Sequence, residues 1–303
     1  MGRGSAARAW HKKALAQPWH GMMNPVSASS VPMPSSTPPT FRMPARYEPM
    51  ALLGKGGGGE VWAVRDRVTS RDLALKVLAE DAGEAEVMAL VREAVTLSGL
   101  EGLGVPQVLA FGRLPGSTRR FLVRELVDGR SLDEVITNGR SGAPDAARDW
   151  LLPLASAADQ LTVLHRAGLL HGDIKPANVI VGRDGTGTLV DLGLATPWRE
   201  GGARARGLTP RYAAPELLVG EPLTVRAEVY ALGATLKDAL KNRRGDVDPE
   251  TLAALERIAA RATEESPHAR YPSVDELGSA LKSAAKIETR ALGGAAAWPV
   301  LGA

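Results

Sequence analysis

The sequence predicts an α+β chain of two lobes, β-rich first and helix-rich second, and three observations carry that prediction. Short runs of apolar and β-branched residues crowd positions 47 to 126, at 50–53, 61–65, 73–78, 107–112 and 120–126. One segment among them, 84–99, instead spaces Val87, Leu90, Val91, Ala94 and Leu97 as a helix does. After Ser131 the pattern changes, and helical spacing dominates 145–167, 226–240, 249–262 and 273–286. The lobes join near 125–129, and a cleft between two lobes is a natural ligand site.

Flanking segments read differently. Residues 1–46 are rich in Pro, Ser, Met and Ala, lack apolar periodicity and predict a disordered basic leader. Residues 1–47 hold six basic residues and no acidic one, so the net charge of +3 over 303 residues hides a mildly acidic body. Such a body argues against nucleic acid as a partner, because binding it calls for a basic folded face. No apolar run approaches the ~20 residues of a membrane helix, and the N-terminus has neither the secretory pattern nor the myristoylation pattern. No membrane association and a cytoplasmic location are expected. The absence of cysteine removes disulfides and thiol catalysis. Residues 288–303 read as a Gly/Ala-rich tail.

The chemistry-bearing residues come in order. Gly54, Gly56 and Gly59 form GxGxxG followed by Val61, and glycines let a backbone approach phosphate oxygens. A dinucleotide fold needs a helix after the glycines, yet 60–64 alternates like a strand. A phosphate loop of the Walker type needs Lys and Ser or Thr there, where Glu60 and Val61 stand. A strand–turn–strand flap over a nucleotide fits. Lys76 lies in an otherwise apolar strand, and Glu93 on the 84–99 helix is its candidate partner. The segment His171-Gly172-Asp173-Ile174-Lys175-Pro176-Ala177-Asn178, with Asp191 further on, gathers a carboxylate, a cation and oxygen ligands for a metal. A hairpin turning at Asp184-Gly185 would return the chain and bring Asp191 beside Asn178.

Taken with Ala214-Pro215-Glu216 and Arg270, this ordered set resembles the eukaryotic-like Ser/Thr protein kinases, the bacterial ones in particular. The resemblance covers about residues 47–287 and implies the bilobal protein-kinase-like fold, with an N-lobe at 47–126 and a C-lobe at 130–287. It implies ATP-dependent phosphoryl transfer to Ser/Thr hydroxyls of protein substrates that the sequence does not name, with Mg²⁺, or alternatively Mn²⁺. By the same resemblance, Asp173 is the catalytic base and Lys175 neutralises the transferred group. Lys76 grips the α- and β-phosphates and pairs with Glu93, while Asn178 and Asp191 hold the metal. Gly54, Gly56 and Gly59 cover the phosphates; Val61, Ala74 and Ile180 sandwich adenine; the backbone of Glu125 and Val127 bonds its edge. Glu216 pairs with Arg270. Lys175 and Thr209 mark the Ser/Thr branch. Two alternatives keep part of this: an inactive pseudokinase scaffold that binds nucleotide, and a small-molecule phosphotransferase, against which the Ala-Pro-Glu segment stands.

Four departures from the pattern set expectations of their own. Gly172 replaces the usual Arg before the base, and Thr196 is the only hydroxyl residue between Asp191 and Thr209. Activity without activation-loop phosphorylation follows. Arg124 stands at an apolar position behind the adenine pocket, so it either pairs with Glu93 or Asp191, in competition with Lys76, or turns outward. Glu228 replaces the aspartate that anchors the catalytic loop. The stretch 241–247 is too short for the helix and loops usual there. Oligomeric state has no signature in the sequence.

Overall fold

The computed structural model describes residues 38–56, 58–101, 104–138, 148–198, 201–242 and 247–286. The first lobe is a five-stranded antiparallel sheet in the order β1-β2-β3-β5-β4, built from β1 (Tyr47–Gly56), β2 (Gly59–Asp66), β3 (Asp72–Leu78), β4 (Val108–Arg113) and β5 (Arg120–Glu125). Helix α1 (Glu84–Gly99) crosses one face of it, with the bounds its apolar spacing predicts. Glu84 and Glu86 in its first turn suit the positive end of the helix dipole. Leu90 and Ala94 bury against Leu78 and Leu122 of the sheet, which carries Glu93 inward.

The opposite face of the sheet is covered by residues ahead of β1. Phe41 and Met43, in the segment read as disordered leader, pack against Tyr47, Trp62, Leu75 and Phe121. Arg46 forms a bidentate pair with buried Asp66 at 2.9 and 2.7 Å, and its carbonyl accepts from Arg67 N–H. Residues 41, 43 and 46, part of the segment expected to be disordered, are thus packed or paired against the sheet. Isolated apolar residues among prolines carry no periodicity, which is why the packing was not legible. Residues 1–37 of the leader and the tail lie outside the described residues.

An irregular linker, 126–129, leads into β6 (Arg130–Ser131) and α2 (Leu132–Asn138). A reciprocal capping box starts α2. The Glu134 N–H donates to Ser131 Oγ and the Ser131 N–H donates to the Glu134 carboxylate. The second lobe is organised around α3 (Arg148–Arg166), α5 (Val225–Asn242), α6 (Pro249–Ala262) and α7 (Val274–Ala284), with a short α4 (Pro215–Leu218). Leu154, Leu161, Leu164, Val229, Leu232, Leu236, Leu255 and Leu277 interleave in one core. Asp248 caps α6 ahead of Pro249, and Ser273 caps α7. Between Asn242 and Pro249 the connection is short, and 243–246 lie outside the described residues.

Two small sheets finish the second lobe. β8 (Val179–Val181) pairs with β6 and with β9 (Gly187–Leu189), while β7 (Leu169–Leu170) pairs with β10 (Thr196–Pro197). Among the described residues no helix is long and apolar enough to cross a membrane.

Candidate active site

Register fixes the upper wall. Val61 pairs with Lys76 and Lys76 with Leu122; Ala63 pairs with Ala74 and Ala74 with Arg124. Strand alternation puts these residues on one face of the sheet. Above them β1 and β2 meet at Gly56 and Gly59, closing the glycine hairpin that includes Gly54. Gly59 has φ 132°, and a Cβ there would lie 2.0 Å from the Val77 carbonyl oxygen, so the flap root requires glycine.

Lys76 Nζ donates to Glu93 Oε2 at 2.8 Å and to Asp191 Oδ1 at 2.9 Å. Burial pushes the ammonium pKa down, but Glu93 and Asp191 together outweigh it and the net shift is upward. Burial likewise raises Asp191, and Lys76 reverses the sign, holding the carboxylate ionised. The Gly193 N–H also reaches Asp191 Oδ1, so Oδ2 remains the acceptor facing other ligands.

Asp191 reaches this position as the hairpin reading anticipates. Asp184-Gly185 turn the chain, Val179 pairs with Leu189, and the Val190 N–H donates to the Asn178 carbonyl at 3.0 Å. Asp191 then adopts φ 66°. A 3-10 turn, Pro176–Asn178, aims the Asn178 amide back at Asp173, donating to its carbonyl at 2.8 Å and to Oδ2 at 3.1 Å. Both amide hydrogens are committed, which leaves the amide oxygen as the group of Asn178 able to accept or to ligate. Lys175 Nζ lies 2.6 Å from Asp173 Oδ2 and 3.1 Å from Thr209 Oγ1, and the Thr209 hydroxyl donates to Asp173 Oδ1 at 2.7 Å.

Arg124 takes Glu93 as its partner, the first of the two expected alternatives, but on the carboxylate oxygen that Lys76 leaves, so the expected competition does not arise. Its side chain is 13% exposed and its Nε lies 3.9 Å from Glu93 Oε1, the oxygen Lys76 does not use. One guanidinium N–H also reaches the Glu125 carbonyl at 3.3 Å. The Glu125 side chain pairs with Arg71 at 2.9 Å and accepts from Gln107 N–H, fixing the start of the linker. Val127 lies within that linker, and Ile180 lies on β8 beneath it, paired with Ser131.

Below the loop, Glu228 on α5 accepts the Gly172 N–H at 2.7 Å, and its other oxygen sits 2.6 Å from His165 Nε2. His165 is a residue that motif reading missed. A buried carboxylate demands a second partner, and that requirement was the available signal. Gly172 itself has φ 84°, and a Cβ there would meet the Leu194 carbonyl oxygen at 2.7 Å. Arg270 is fully buried, and its five N–H donors reach Glu216 twice and the carbonyls of Arg226, Glu264 and Glu265.

Residues 47–267 match the family model described as the protein kinase domain. The chain belongs to the protein kinase family. It is 29% identical over 299 residues to a probable serine/threonine-protein kinase of Streptomyces coelicolor, covering 85% of this chain and 44% of that protein. It is 33% identical over 204 residues to the DNA damage-responsive serine/threonine-protein kinase RqkA of Deinococcus radiodurans, covering 66% and 30%. With the serine/threonine-protein kinase PknB of Mycolicibacterium smegmatis the identity is 28% over 268 residues, covering 77% and 42%. The chain thus spans under half the length of these relatives, all of them bacterial Ser/Thr kinases.

Proposed function

We propose that this kinase domain transfers the γ-phosphoryl group of ATP to Ser or Thr hydroxyls of proteins with Asp173 as base, and that it does so without prior phosphorylation of its activation segment. The observation that carries the reading is the convergence on Asp173. Lys175, Asn178 and Thr209 all bond its carboxylate, and Asn178 is tied through Val190 to the chain carrying Asp191. Thr209 donates a hydroxyl proton to Asp173 Oδ1 in the way a substrate hydroxyl would, so the carboxylate is held for that contact. In the reaction Asp173 accepts the proton of the attacking hydroxyl, and Lys175 offsets charge on the transferred group. Lys76, clamped by Glu93, is the cation for the α- and β-phosphates, beneath the glycine hairpin of Gly54, Gly56 and Gly59. Val61, Ala74 and Ile180 serve as apolar contacts for the base, with Glu125 and Val127 presenting backbone groups to its edge. Asn178 and Asp191 would hold a divalent cation such as Mg²⁺, with Mn²⁺ as an alternative, through the oxygens left over, and that ion would neutralise phosphate charge.

Independence from activation-segment phosphorylation rests on two features. Gly172 offers no cation to a phosphate, and Thr196 is 4% exposed and paired with Leu170.

The test uses γ-labelled ATP, a divalent salt and a generic protein acceptor, with the acceptor hydrolysed to identify the labelled amino acid. Label on Ser or Thr that requires the divalent ion and is lost in Lys76→Met is expected. ATP binding with no transfer would replace this reading with that of a nucleotide-binding scaffold. Label confined to small molecules would make the chain a small-molecule phosphotransferase.

A further inference from the structure

The segment ahead of the sheet is built into the root of the glycine hairpin. Phe41 meets Trp62 edge-on, with ring centroids 6.4 Å apart, and the Arg119 guanidinium lies over the Phe41 ring at 4.9 Å. Trp62 is thereby held between the sheet core and Phe41, and its Nε1–H donates to Glu60 Oε2 at 2.9 Å. The other oxygen of Glu60 takes Lys55 Nζ at 3.0 Å, across the cross-strand pair next to the one that closes the hairpin. Glu60 is a buried carboxylate with one donor for each oxygen, so a shift of the indole leaves half of it unmatched. Arg119 is itself tethered, its Nε donating to the Leu78 carbonyl at 2.8 Å, at the β3 end that pairs with Gly59. At the other end of the segment, the Arg46–Asp66 pair pins the chain.

We infer that Phe41 and Glu60 are positioning residues for nucleotide binding: the upstream segment, acting through Phe41, Trp62, Glu60 and Lys55, holds the glycine hairpin over the phosphates. The inference rests on the reading of that hairpin as the nucleotide flap. Neither residue touches the reacting atoms. Their effect falls on nucleotide affinity and not on the chemical step, because Asp173, Lys175 and Asn178 lie in the other lobe. A segment outside the motif region thus sets ATP affinity, and a partner that peels Phe41 from Trp62 would weaken it.

The experiment measures equilibrium ATP binding and steady-state transfer on the full chain, for Phe41→Ala, Phe41→Tyr, Glu60→Gln and the Phe41→Ala/Glu60→Gln pair. Phe41→Ala and Glu60→Gln should each raise Kd and KM for ATP by about three- to tenfold, as losing one aromatic or charge-assisted contact does, with kcat within about twofold. Phe41→Tyr keeps the ring edge and should restore affinity. The double variant should be no weaker than the weaker single, because both break one chain of contacts. Unchanged affinity in Phe41→Ala, or losses that multiply in the double variant, would overturn the inference. Should Phe41→Ala lose its folded spectrum, Glu60→Gln alone decides, since it removes charge and no packing volume. A wild-type chain that binds no ATP sinks the functional reading itself. A chain whose variants all bind ATP as the wild type does removes only this inference.

Discussion

Asp66 shows how one carboxylate can fasten two segments. It takes both donors of the Arg46 fork, the Val68 N–H and the Thr69 hydroxyl, closing the β2–β3 turn and tethering the upstream segment at once. Arg46 is the main reason its pKa lies far below the usual carboxylate range; burial opposes this, and the Val68 and Thr69 donors add to the lowering. The folded pKa is depressed, so the stabilisation is complete above the unfolded value of about 4 and fades as pH falls through the folded value. Asp66→Asn should therefore cost about 1–2 kcal/mol at neutral pH, a figure held low because Arg46 is half exposed. In denaturant titrations that gap should narrow steadily below about pH 4; a gap constant from pH 7 to pH 2 would refute the assignment. Arg124 makes a different point at the same scale. Charge at an apolar position made competition with Lys76 a reasonable expectation, yet a carboxylate has two oxygens, and Glu93 gives one to each cation.

At the scale of elements, what the sequence made legible was whatever periodicity or motif spacing encodes. Helix α1 and α6 have their expected bounds, and the strands differ from expectation by a few residues at their ends. The β8–β9 hairpin follows from Asp184-Gly185, and with it the meeting of Asn178 and Asp191. The roles of Phe41 and His165 were not legible, because each depends on a contact between segments distant in sequence, with no local pattern to announce it. The activation segment carries the prediction that belongs here. A positive φ at Gly172 with the Leu194 carbonyl against it leaves no unstrained place for an arginine. Thr196, the hydroxyl available upstream of Thr209, is locked in the β7–β10 pair. Phosphatase-treated protein and Thr196→Ala should both retain transfer within about threefold of the untreated wild type. Loss of activity in both would show that a phosphate on this segment is required.

Across the whole molecule, the two lobes divide the work. The sheet lobe offers Lys76 and the glycine hairpin, held by α1 on one face and by the upstream segment on the other. The helical lobe offers Asp173, Lys175 and Asn178, held from below by Glu228 and His165. Arg270, with every donor satisfied, ties Glu216 of α4 to the start of α5. Asp191, bonded to Lys76 above and carried by the hairpin of Asn178 below, is where the two lobes meet. The most direct measurement is kcat for transfer to a protein acceptor by Asp173→Asn beside wild type, with ATP affinity measured on the same samples. A fall in kcat of about 10²- to 10⁴-fold, at unchanged ATP affinity, is expected when the positioned base is removed. Turnover by Asp173→Asn equal to that of the wild type would contradict the assignment of this site.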